Sequence, residues 1–304
     1  MKRIRLGTRG SPLALWQANE TARLLRVAGF GAEVISIRTT GDLRRDVSLS
    51  AIGGKGLFVK ELEEALDRHE IDLAVHSLKD VPSLLPDRFT LAGFLERADP
   101  RDVWIQPEGL SLDAMPSQAV VATSAPRRRA QLLARRPDLR IEPIRGNVET
   151  RLAKLWGRSC DALVLASAGM TRLGFHDRVT ATFEVDEMIP AAGQGIVALE
   201  SLQSNALARS AAESIDNANS AMAARCERGV LQHFGTQLDC TSCIAVHASF
   251  ENGVITVRAF VSDLDATTII RVTHHGSDAE ALASSVALQL RESGAEALLE
   301  ARAA

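Results

Sequence analysis

The sequence predicts an α/β protein in which two α/β lobes, joined by two crossings, precede a small α+β domain with an antiparallel sheet. Three observations support this. Strand-like apolar runs alternate with amphipathic helical stretches over most of the chain. Charged residues at 96–102 and glycines at 190–195 separate two such series. After about residue 204 the chain becomes helical and then alternates, with a hairpin signal at Asn252-Gly253.

The length of 304 residues suits several domains that each bury a core. We expect a first lobe formed by residues 1–97 and 196–216. Residues 101–192 would form the second lobe, and residues 220–304 the C-terminal domain. Two crossings between the lobes would permit hinge motion.

The composition argues against several classes of protein. Lysine and arginine number 35 against 38 aspartate and glutamate, a formal charge of -3, which is unlike a general nucleic-acid binder. No apolar run approaches the roughly 20 residues of a membrane span. The basic start at 2–5 is not followed by the apolar segment of a secretory signal. We therefore expect a cytoplasmic protein that binds neither nucleic acid nor membrane.

The first lobe begins with a predicted strand at 4–7 and a predicted helix from Pro12 to Gly29. Arg9 and Ser11 lie in the turn between them. Because a helix N-terminus presents free N–H groups and a partial positive charge, this turn suits an anion. Ser11 would serve equally well as a plain helix cap.

A glycine-rich loop, Gly53-Gly54-Lys55-Gly56, follows a predicted strand at 33–38 and precedes an amphipathic helix. Glycine lets the backbone approach a ligand closely, and Lys55 adds a positive charge. The loop is not a Walker motif, because Gly-x-x-x-x-Gly-Lys-Ser/Thr is absent. It adds a further candidate anion site to the same lobe.

The first lobe also contains the stretch His76-Ser77-Leu78-Lys79-Asp80-Val81-Pro82. It follows a predicted strand at 71–75, and Pro82 cannot continue a sheet ladder, so its polar residues fall where the strand ends. Ligands of open α/β sheets bind at the carboxyl ends of strands. Asp80 is therefore the candidate for catalysis. The alternative is a polar turn in which Lys79 and Asp80 are simply solvated.

In the second lobe, a predicted strand at 119–124 precedes Pro126, which starts a helix with Arg127-Arg128-Arg129 in its first turn. Cations at this position oppose the helix dipole and cost stability unless an anion binds nearby. The alternatives are a solvated face and an RNA-binding patch.

Arginine recurs at the next two strand-to-helix junctions. The predicted strand at 140–144 precedes Arg145 and Arg151, and the predicted strand at 162–166 precedes Arg172. A planar guanidinium group donates two parallel hydrogen bonds to a carboxylate. These junctions together predict a cleft that binds several carboxylates at once.

The four cysteines, Cys160, Cys226, Cys240 and Cys243, are too few and too unevenly spaced for a disulfide framework. Cys240 and Cys243 have the spacing of a metal or redox pair, but no second pair accompanies them. We therefore expect no metal site.

With these residues assembled, the sequence resembles the hydroxymethylbilane synthase family, also called porphobilinogen deaminase, over almost the whole chain. The motifs that carry the resemblance are Thr8-Arg9-Gly10-Ser11-Pro12-Leu13-Ala14-Leu15-Trp16-Gln17-Ala18, Gly53-Gly54-Lys55-Gly56-Leu57-Phe58-Val59-Lys60-Glu61-Leu62, Ala74-Val75-His76-Ser77-Leu78-Lys79-Asp80-Val81-Pro82, Arg145-Gly146-Asn147-Val148-Glu149-Thr150-Arg151 and Gly193-Gln194-Gly195.

The resemblance implies a transferase of porphyrin, tetrapyrrole and haem biosynthesis. Such an enzyme joins four porphobilinogen molecules head to tail, releasing ammonia at each step and hydroxymethylbilane at the end. It also implies a dipyrromethane primer attached through a cysteine thioether, lobes of the periplasmic-binding-protein type, and a monomer. Each pyrrole carries an acetate and a propionate, so the growing chain is a polyanion, in agreement with an arginine-lined cleft.

Carried over by motif, the resemblance makes Asp80 the catalytic carboxylate, which assists loss of ammonia, stabilises the azafulvene cation and helps the ring lose its proton. It assigns primer binding to Ser77, Lys79, Asp80, Thr123, Ser124, Arg127, Arg128, Arg145 and Gly146, with Cys240 as the thioether. It assigns substrate binding to Arg9, Ser11, Lys55, Arg145, Arg151, Arg172 and Gln194.

The primer loop departs from the family pattern. Counting back from Asn252-Gly253 places Cys240 at the family position, and Cys243 then replaces the usual proline. Leu238-Asp239 replaces two glycines that usually precede the cysteine, which affects the loop backbone or its approach to the primer.

Two further departures concern carboxylate contacts. Ala51 is often lysine in relatives, and Ala125 is often serine. Each change removes a candidate contact, so weaker affinity than in relatives is expected.

Two other functions fit the same features. A non-catalytic two-lobed anion-binding protein would have the same lobes and crossings, although such receptors are commonly exported. An RNA-binding module would use Arg127-Arg128-Arg129 with Arg135 and Arg136. Release of ammonia from porphobilinogen would exclude the first, and salt-dependent RNA binding would favour the second.

Overall fold

A computed structural model describes residues 2–38, 59–235, 238 and 242–300 of the chain. They divide into two compact units, one formed by Met1–Ala98 with Gly195–Ala224 and the other by Asp99–Gln194 with Arg225–Ala304. The C-terminal sheet belongs to the second unit in this division. The three-domain division drawn from the sequence stays a prediction.

In chain order, the strands of the described residues are β1 (Arg3–Arg9), β2 (Gly31–Ile37), β3 (Leu73–Ser77), β4 (Phe89–Phe94), β5 (Asp102–Ile105), β6 (Val120–Ala122), β7 (Arg140–Glu142), β8 (Ala162–Ala166), β9 (Ala181–Thr182), β10 (Val197–Leu202), β11 (Ile244–Glu251), β12 (Val254–Ser262) and β13 (Ile269–Gly276). The helices are α1 (Pro12–Val27), α2 (Lys60–Asp67), α3 (Pro126–Arg135), α4 (Val148–Trp156), α5 (Ser167–Arg172), α6 (Ala206–Glu213), α7 (Ala218–Phe234), α8 (Ala279–Glu292) and α9 (Ala295–Glu300), with short 3₁₀ turns at Leu78–Asp80 and His176–Arg178.

The first unit contains a five-stranded sheet in the order β2-β1-β3-β10-β4. Strand β1 is parallel to β2 and β3, whereas β10 runs antiparallel to β3 and β4. An apolar cluster with Ile4, Leu25 and Leu199 joins the sheet to α1 and α6, and a second cluster with Leu62 and Ala74 joins it to α2. The parallel strands β1 and β3 therefore end at the same edge of a sheet covered on both faces.

The second unit contains a five-stranded sheet in the order β7-β6-β8-β5-β9. Strand β6 is parallel to β7 and β8, and β5 is antiparallel to β8 and β9. The consecutive residues Val164 and Leu165 of β8 belong to separate apolar clusters, as expected for a sheet buried on both faces. The carboxyl ends of β6, β7 and β8 therefore lie along one edge.

The C-terminal part of the second unit is an antiparallel sheet in the order β11-β12-β13, with α8 and α9 following it in the chain. Asn252 and Gly253 form the β11–β12 hairpin with φ of 51° and 82°. Positive φ at both positions is the geometry of a type I′ turn. The hairpin predicted from the sequence is therefore confirmed.

The α/β class, with two mixed sheets and a small antiparallel C-terminal sheet, is confirmed. The charged residues at 96–102 were expected to separate the two α/β series, but the last of them, Asp102, begins the buried strand β5. Its charge misled the prediction: two arginines of α3 neutralise Asp102 inside the fold.

Candidate active site

Asp80 lies in the 3₁₀ turn that directly follows β3. Leu78 and Val81 are buried in an apolar cluster, and the backbone N–H of Leu78 donates to the carbonyl of Ile196 at 3.0 Å. Lys79 and Asp80 between them are exposed. The two buried residues thus fix a turn that presents an ammonium group and a carboxylate to solvent.

The turn after β1 lies at the same edge of the first sheet. The parallel pairing of Gly7 with Ala74, extended by two residues, brings Arg9 level with His76. The Ser11 hydroxyl accepts a hydrogen bond from the Ala14 N–H at 3.3 Å and caps α1. The cap interpretation of Ser11 is therefore confirmed, and its role in binding substrate stays a prediction.

Ser77, a predicted primer-binding residue, is held by a glutamine that the sequence did not single out. The Gln17 side chain is buried in α1, and its Nε2 donates to the Ser77 hydroxyl at 2.8 Å. This bond joins α1 to the carboxyl end of β3, immediately before the turn that carries Asp80.

A buried polar cluster lies beside the same turn. His76 Nε2 is 2.8 Å from a carboxylate oxygen of Glu200 on β10, and both side chains are buried. Burial and the charge of Glu200 raise the pKa of Glu63, on α2, to about 7. His76 and Glu200 each interrupt an apolar strand, a signal from which this cluster could have been predicted.

The second sheet carries polar residues where its parallel strands end. Thr123 and Ser124 follow β6, and Thr123 is buried. The Ser124 hydroxyl donates to the Ile144 carbonyl at 2.6 Å and accepts from the Ile144 N–H at 2.9 Å. Ser124 therefore ties the loop after β6 to the loop after β7.

Arg145 and Gly146 follow β7 in the turn that leads into α4. Gly146 has φ of +112°, and a Cβ at this position would lie 2.6 Å from Thr150 Cγ2, so the turn requires glycine. Arg151 Nε donates to the Gly146 carbonyl at 2.8 Å. The two arginines, both half-buried, are thus placed by one fixed turn.

Arg172 ends α5, the helix that follows β8. Burial lowers the pKa of its guanidinium group to about 10. A group whose charged form is disfavoured by burial gains from a nearby anion, which suits the predicted role of Arg172 in binding a carboxylate.

The first two arginines of α3 converge on one acid. Asp102 is 0% exposed, and Arg127 and Arg128 are 5% and 6% exposed. Arg127 Nη1 donates to Asp102 Oδ2 at 2.6 Å, and Arg128 Nη2 donates to Asp102 Oδ1 at 2.7 Å. Burial alone would raise the pKa of Asp102, but the two guanidinium groups hold it well below its usual range.

Gln194, a predicted substrate-binding residue, is completely buried in the same cluster. Its Nε2 donates to Asp102 Oδ1 at 2.9 Å and to the Pro100 carbonyl at 2.7 Å, and its Oε1 accepts from Arg127 Nη2 at 3.0 Å. The preceding residue is also held, since the Gly193 N–H donates to the buried carboxylate of Glu227 at 2.5 Å.

A cavity of about 170 Å³ lies at the N-terminus of α3. It is lined by Thr123, Ser124, Ala125, Pro126, Arg129, Ile141, Pro143 and Leu264. The α3 N-cap is Ala125, which makes no side-chain cap. Ala125 thus leaves the helix start without a capping hydroxyl.

Three cysteines of the described residues are buried free thiols. Burial raises the pKa of Cys160 and Cys243 to about 11 and that of Cys226 to about 12. Lys55, Ala51 and Cys240 lie outside the described residues, so their predicted roles stay predictions.

Within the described ranges, no group of three or more His, Cys, Asp or Glu side chains could hold a metal ion. None of the helices in that part of the chain has the length and apolar character that a membrane crossing requires.

Comparison with known proteins identifies the family. A family model described as porphobilinogen deaminase, dipyrromethane cofactor binding domain, matches residues 4–210. The porphobilinogen deaminase of Acidithiobacillus ferrooxidans is 41% identical over 98% of this chain and 97% of its own length. The chain belongs to the porphobilinogen deaminase family.

Other members of the porphobilinogen deaminase family are equally similar. The enzymes of Trichlorobacter lovleyi and Geobacter sulfurreducens are 43% and 42% identical, each over 98% of this chain and over 96% and 94% of their own lengths. Among solved structures, a periplasmic substrate-binding protein of an ABC transporter from Coxiella burnetii matches 70% of this chain and 91% of its own, at 14% identity and a TM-score of 0.44.

The second unit suits the dipyrromethane named in the porphobilinogen deaminase family model. A dipyrromethane with acetate and propionate substituents is a polyanion. Asp102, Arg127 and Arg128 together carry one excess positive charge in a buried position. Burial also disfavours the charged form of Arg172. Buried cations are stabilised by anionic partners, so these residues fit the group.

Proposed function

We propose that this chain has hydroxymethylbilane synthase activity. It condenses four porphobilinogen molecules head to tail on a covalent dipyrromethane primer and releases hydroxymethylbilane and ammonia. The observation that carries the proposal is the similarity to porphobilinogen deaminases over 98% of the chain. The exposed carboxylate of Asp80, in a turn flanked by the buried residues Leu78 and Val81, supports it.

Asp80 is the catalytic residue of this proposal. Its carboxylate has no acidic neighbour within the turn Leu78–Asp80, and Lys79 beside it adds a positive charge. A carboxylate held this way stabilises the positive charge that develops on porphobilinogen as ammonia leaves. It then accepts the proton that the pyrrole ring loses after the carbon–carbon bond forms.

The primer is attached through Cys240. When bound, the primer supplies the pyrrole carbon to which the first porphobilinogen is joined. A thiolate is the nucleophilic form of cysteine, and burial disfavours it in Cys160, Cys226 and Cys243. The buried sulfur of Cys243 also packs in an apolar cluster with Ala130 and Phe260. These observations support Cys240 as the attachment site.

The remaining assignments concern carboxylate binding. By the resemblance, the residues that contact the primer are Ser77, Lys79, Asp80, Thr123, Ser124, Arg127, Arg128, Arg145 and Gly146. Those that bind the substrate and growing chain are Arg9, Ser11, Lys55, Arg145, Arg151, Arg172 and Gln194. For those of them that the structure describes, the support is a position in, or in the segments following, the strands of the two sheets. Guanidinium groups on fixed turns bind carboxylates with little loss of side-chain freedom.

We further propose that the enzyme works as a cytoplasmic monomer with the three domains predicted from the sequence. Sedimentation of the purified protein tests the monomer. A dimer at micromolar concentration would contradict it.

Incubation with porphobilinogen tests the activity. The purified full-length protein should release ammonia and form hydroxymethylbilane, and the Asp80→Ala variant should lose at least about a thousandfold in rate, as expected when charge stabilisation and proton transfer are both removed. Asp87→Ala, which removes another exposed carboxylate of the same unit, is the matched control. A wild-type protein that binds porphobilinogen without releasing ammonia would be an anion-binding protein instead.

A further inference from the structure

The cluster formed by Asp102, Arg127 and Arg128 carries more positive than negative charge. One carboxylate faces two guanidinium groups, so one positive charge remains in a site where all three residues are at most 6% exposed. Burial lowers the pKa of Arg128, and the neighbouring charge of Arg127 adds to that effect, although Asp102 opposes it. A buried excess charge is costly unless an anion is present.

The two arginines of the cluster are not equivalent. The Nη1 of Arg127 donates to Asp102 Oδ2 and the Ile189 carbonyl, and its Nη2 donates to Asp102 Oδ1 and Gln194 Oε1. All four hydrogens on its two terminal nitrogens are therefore engaged inside the protein. Arg127 has no terminal N–H left for a ligand.

Arg128 is held differently. Its Nε and Nη2 donate to Asp102 Oδ1 at 3.0 and 2.7 Å, and its Nη1 donates to the Val164 carbonyl at 3.0 Å. These bonds use three of the five guanidinium hydrogens. Among the described residues, one hydrogen on each terminal nitrogen of Arg128 is not engaged in these bonds, and two such hydrogens are what a carboxylate accepts from an arginine.

Gln194 also holds Asp102 in place. Its amide nitrogen donates to Asp102 and to the Pro100 carbonyl, and its amide oxygen accepts from Arg127, so both polar atoms of the side chain form hydrogen bonds. Gln131 holds the same region, because it accepts from the Ile189 N–H at 2.8 Å and donates to the Ile189 carbonyl at 3.1 Å. Asp102, the carboxylate that holds Arg128, is thus itself held by Gln194 and Arg127.

We propose that Asp102, Arg127 and Gln194 are positioning residues that orient Arg128, and that Arg128 alone of this cluster contacts a carboxylate of the dipyrromethane primer. The inference rests on the proposed function. It differs from the assignment by resemblance, in which Arg127 and Gln194 bind ligand themselves. Asp102 has no role in that assignment.

The substitution Gln194→Glu separates positioning from simple stabilisation. Glutamate has the shape of glutamine, but it cannot donate to Asp102 Oδ1 or to the Pro100 carbonyl, and it places a second carboxylate beside Asp102. A purely structural role predicts lower stability with normal primer in the protein that folds. A positioning role predicts less primer in the folded protein as well, because Asp102, repelled by the new carboxylate, no longer orients Arg128. Asp102→Asn, which removes the central acceptor charge, is the second variant. Asp113→Asn is the matched control, since it removes an exposed acid that pairs with Arg135 of the same helix.

The experiment uses full-length proteins that elute as folded species in gel filtration. Intact mass gives the fraction that carries the dipyrromethane, and steady-state assays of the loaded protein give KM and kcat for porphobilinogen. We expect the loaded fraction of Gln194→Glu and Asp102→Asn to fall about tenfold or more, the effect of losing one charge-assisted carboxylate contact. The control should match the wild type.

Each result decides between the two roles. Folded Gln194→Glu and Asp102→Asn proteins with wild-type loading and KM would overturn the inference and leave the proposed function intact. A wild-type protein with neither the dipyrromethane mass nor ammonia release would overturn the proposed function, and the inference with it. Reduced loading of both variants, with a normal control, supports it.

Discussion

His76 and Glu200 form a buried contact of 2.8 Å that joins β3 to β10 beside the turn bearing Asp80. Glu200 is 0% exposed, and its second oxygen, Oε1, has no hydrogen-bond partner within the described residues. The imidazole of His76 is therefore the main polar support of this carboxylate.

Removal of that support should be costly. We expect His76→Ala to lower the free energy of unfolding by roughly 3–5 kcal/mol, because it leaves a buried carboxylate without its partner. Urea unfolding measures the change. His176→Ala, which removes an exposed imidazole, is the control. A loss for His76→Ala no larger than for the control would mean that the contact contributes little.

Glu63 should make stability depend on pH. Burial and the charge of Glu200 raise its pKa from 4.5 to about 7. A raised pKa means that the contribution of Glu63 to stability is complete below about pH 4.5 and is lost as the pH rises through about 7. Glu63→Gln removes this loss, so the variant should gain stability relative to the wild type between pH 5 and pH 8.

The expected gain of Glu63→Gln is on the order of 1 kcal/mol, since solvent screening reduces the effect for a half-buried group. Thermal unfolding across that pH range measures it. Glu64→Gln, at an exposed neighbouring position, is the control. Equal pH profiles for Glu63→Gln and the wild type would contradict the placement of Glu63 beside Glu200.

The sequence predicted the elements whose signals are local. Pro12 and Pro126 each occupy the first helical position, and Asn252-Gly253 forms the hairpin. The predicted strands also placed Asp80 and Arg145 correctly in the segments that follow strand ends. These features depend on local backbone preferences and on the spacing of apolar residues, both of which are set by residues close together in the sequence.

Pairings between distant residues could not be predicted in the same way. Asp102 pairs with Arg127 and Arg128, which lie 25 and 26 positions later, and Gln194 contacts Arg127, which lies 67 positions earlier. From the sequence, Asp102 is one acid in a charged stretch, and Arg127 is one of three adjacent arginines. Tertiary packing determines which guanidinium group has all its terminal N–H groups hydrogen-bonded within the protein. The sequence alone therefore could not distinguish Arg127 from Arg128.

Gly146→Ala should distort the turn that places Arg145 and Arg151. The φ of +112° costs about 1–3 kcal/mol for a residue with a side chain, and the new Cβ would lie 2.6 Å from Thr150 Cγ2. We expect a loss of stability in urea and a raised KM for porphobilinogen. Gly174→Ala is the control, because Gly174 also has positive φ but open space around it. Equal effects of both variants on KM would argue against the role of the turn.

Arg127→Leu and Arg145→Leu should separate structure from binding. Arg127→Leu removes two of the bonds to the buried Asp102, so we expect it to lower the free energy of unfolding by roughly 3–5 kcal/mol. Arg145→Leu, at a half-buried turn position, should change stability by about 1 kcal/mol or less while impairing primer assembly or chain growth. Urea unfolding and intact mass measure both effects. A stable Arg127→Leu protein would show that Asp102 does not depend on this arginine.

The attachment site of the primer can be decided by mass alone. The purified wild-type protein should be heavier than its sequence by one dipyrromethane, and Cys240→Ser should abolish the increment. Cys243→Ser should keep it, because burial raises the pKa of the Cys243 thiol to about 11 and leaves little thiolate at neutral pH. The Cys243→Ser protein should still lose some stability, since its sulfur packs against Ala130 and Phe260. Loss of the increment in folded Cys243→Ser with retention in Cys240→Ser would place the thioether at Cys243 and show that the register counted from Asn252-Gly253 is wrong.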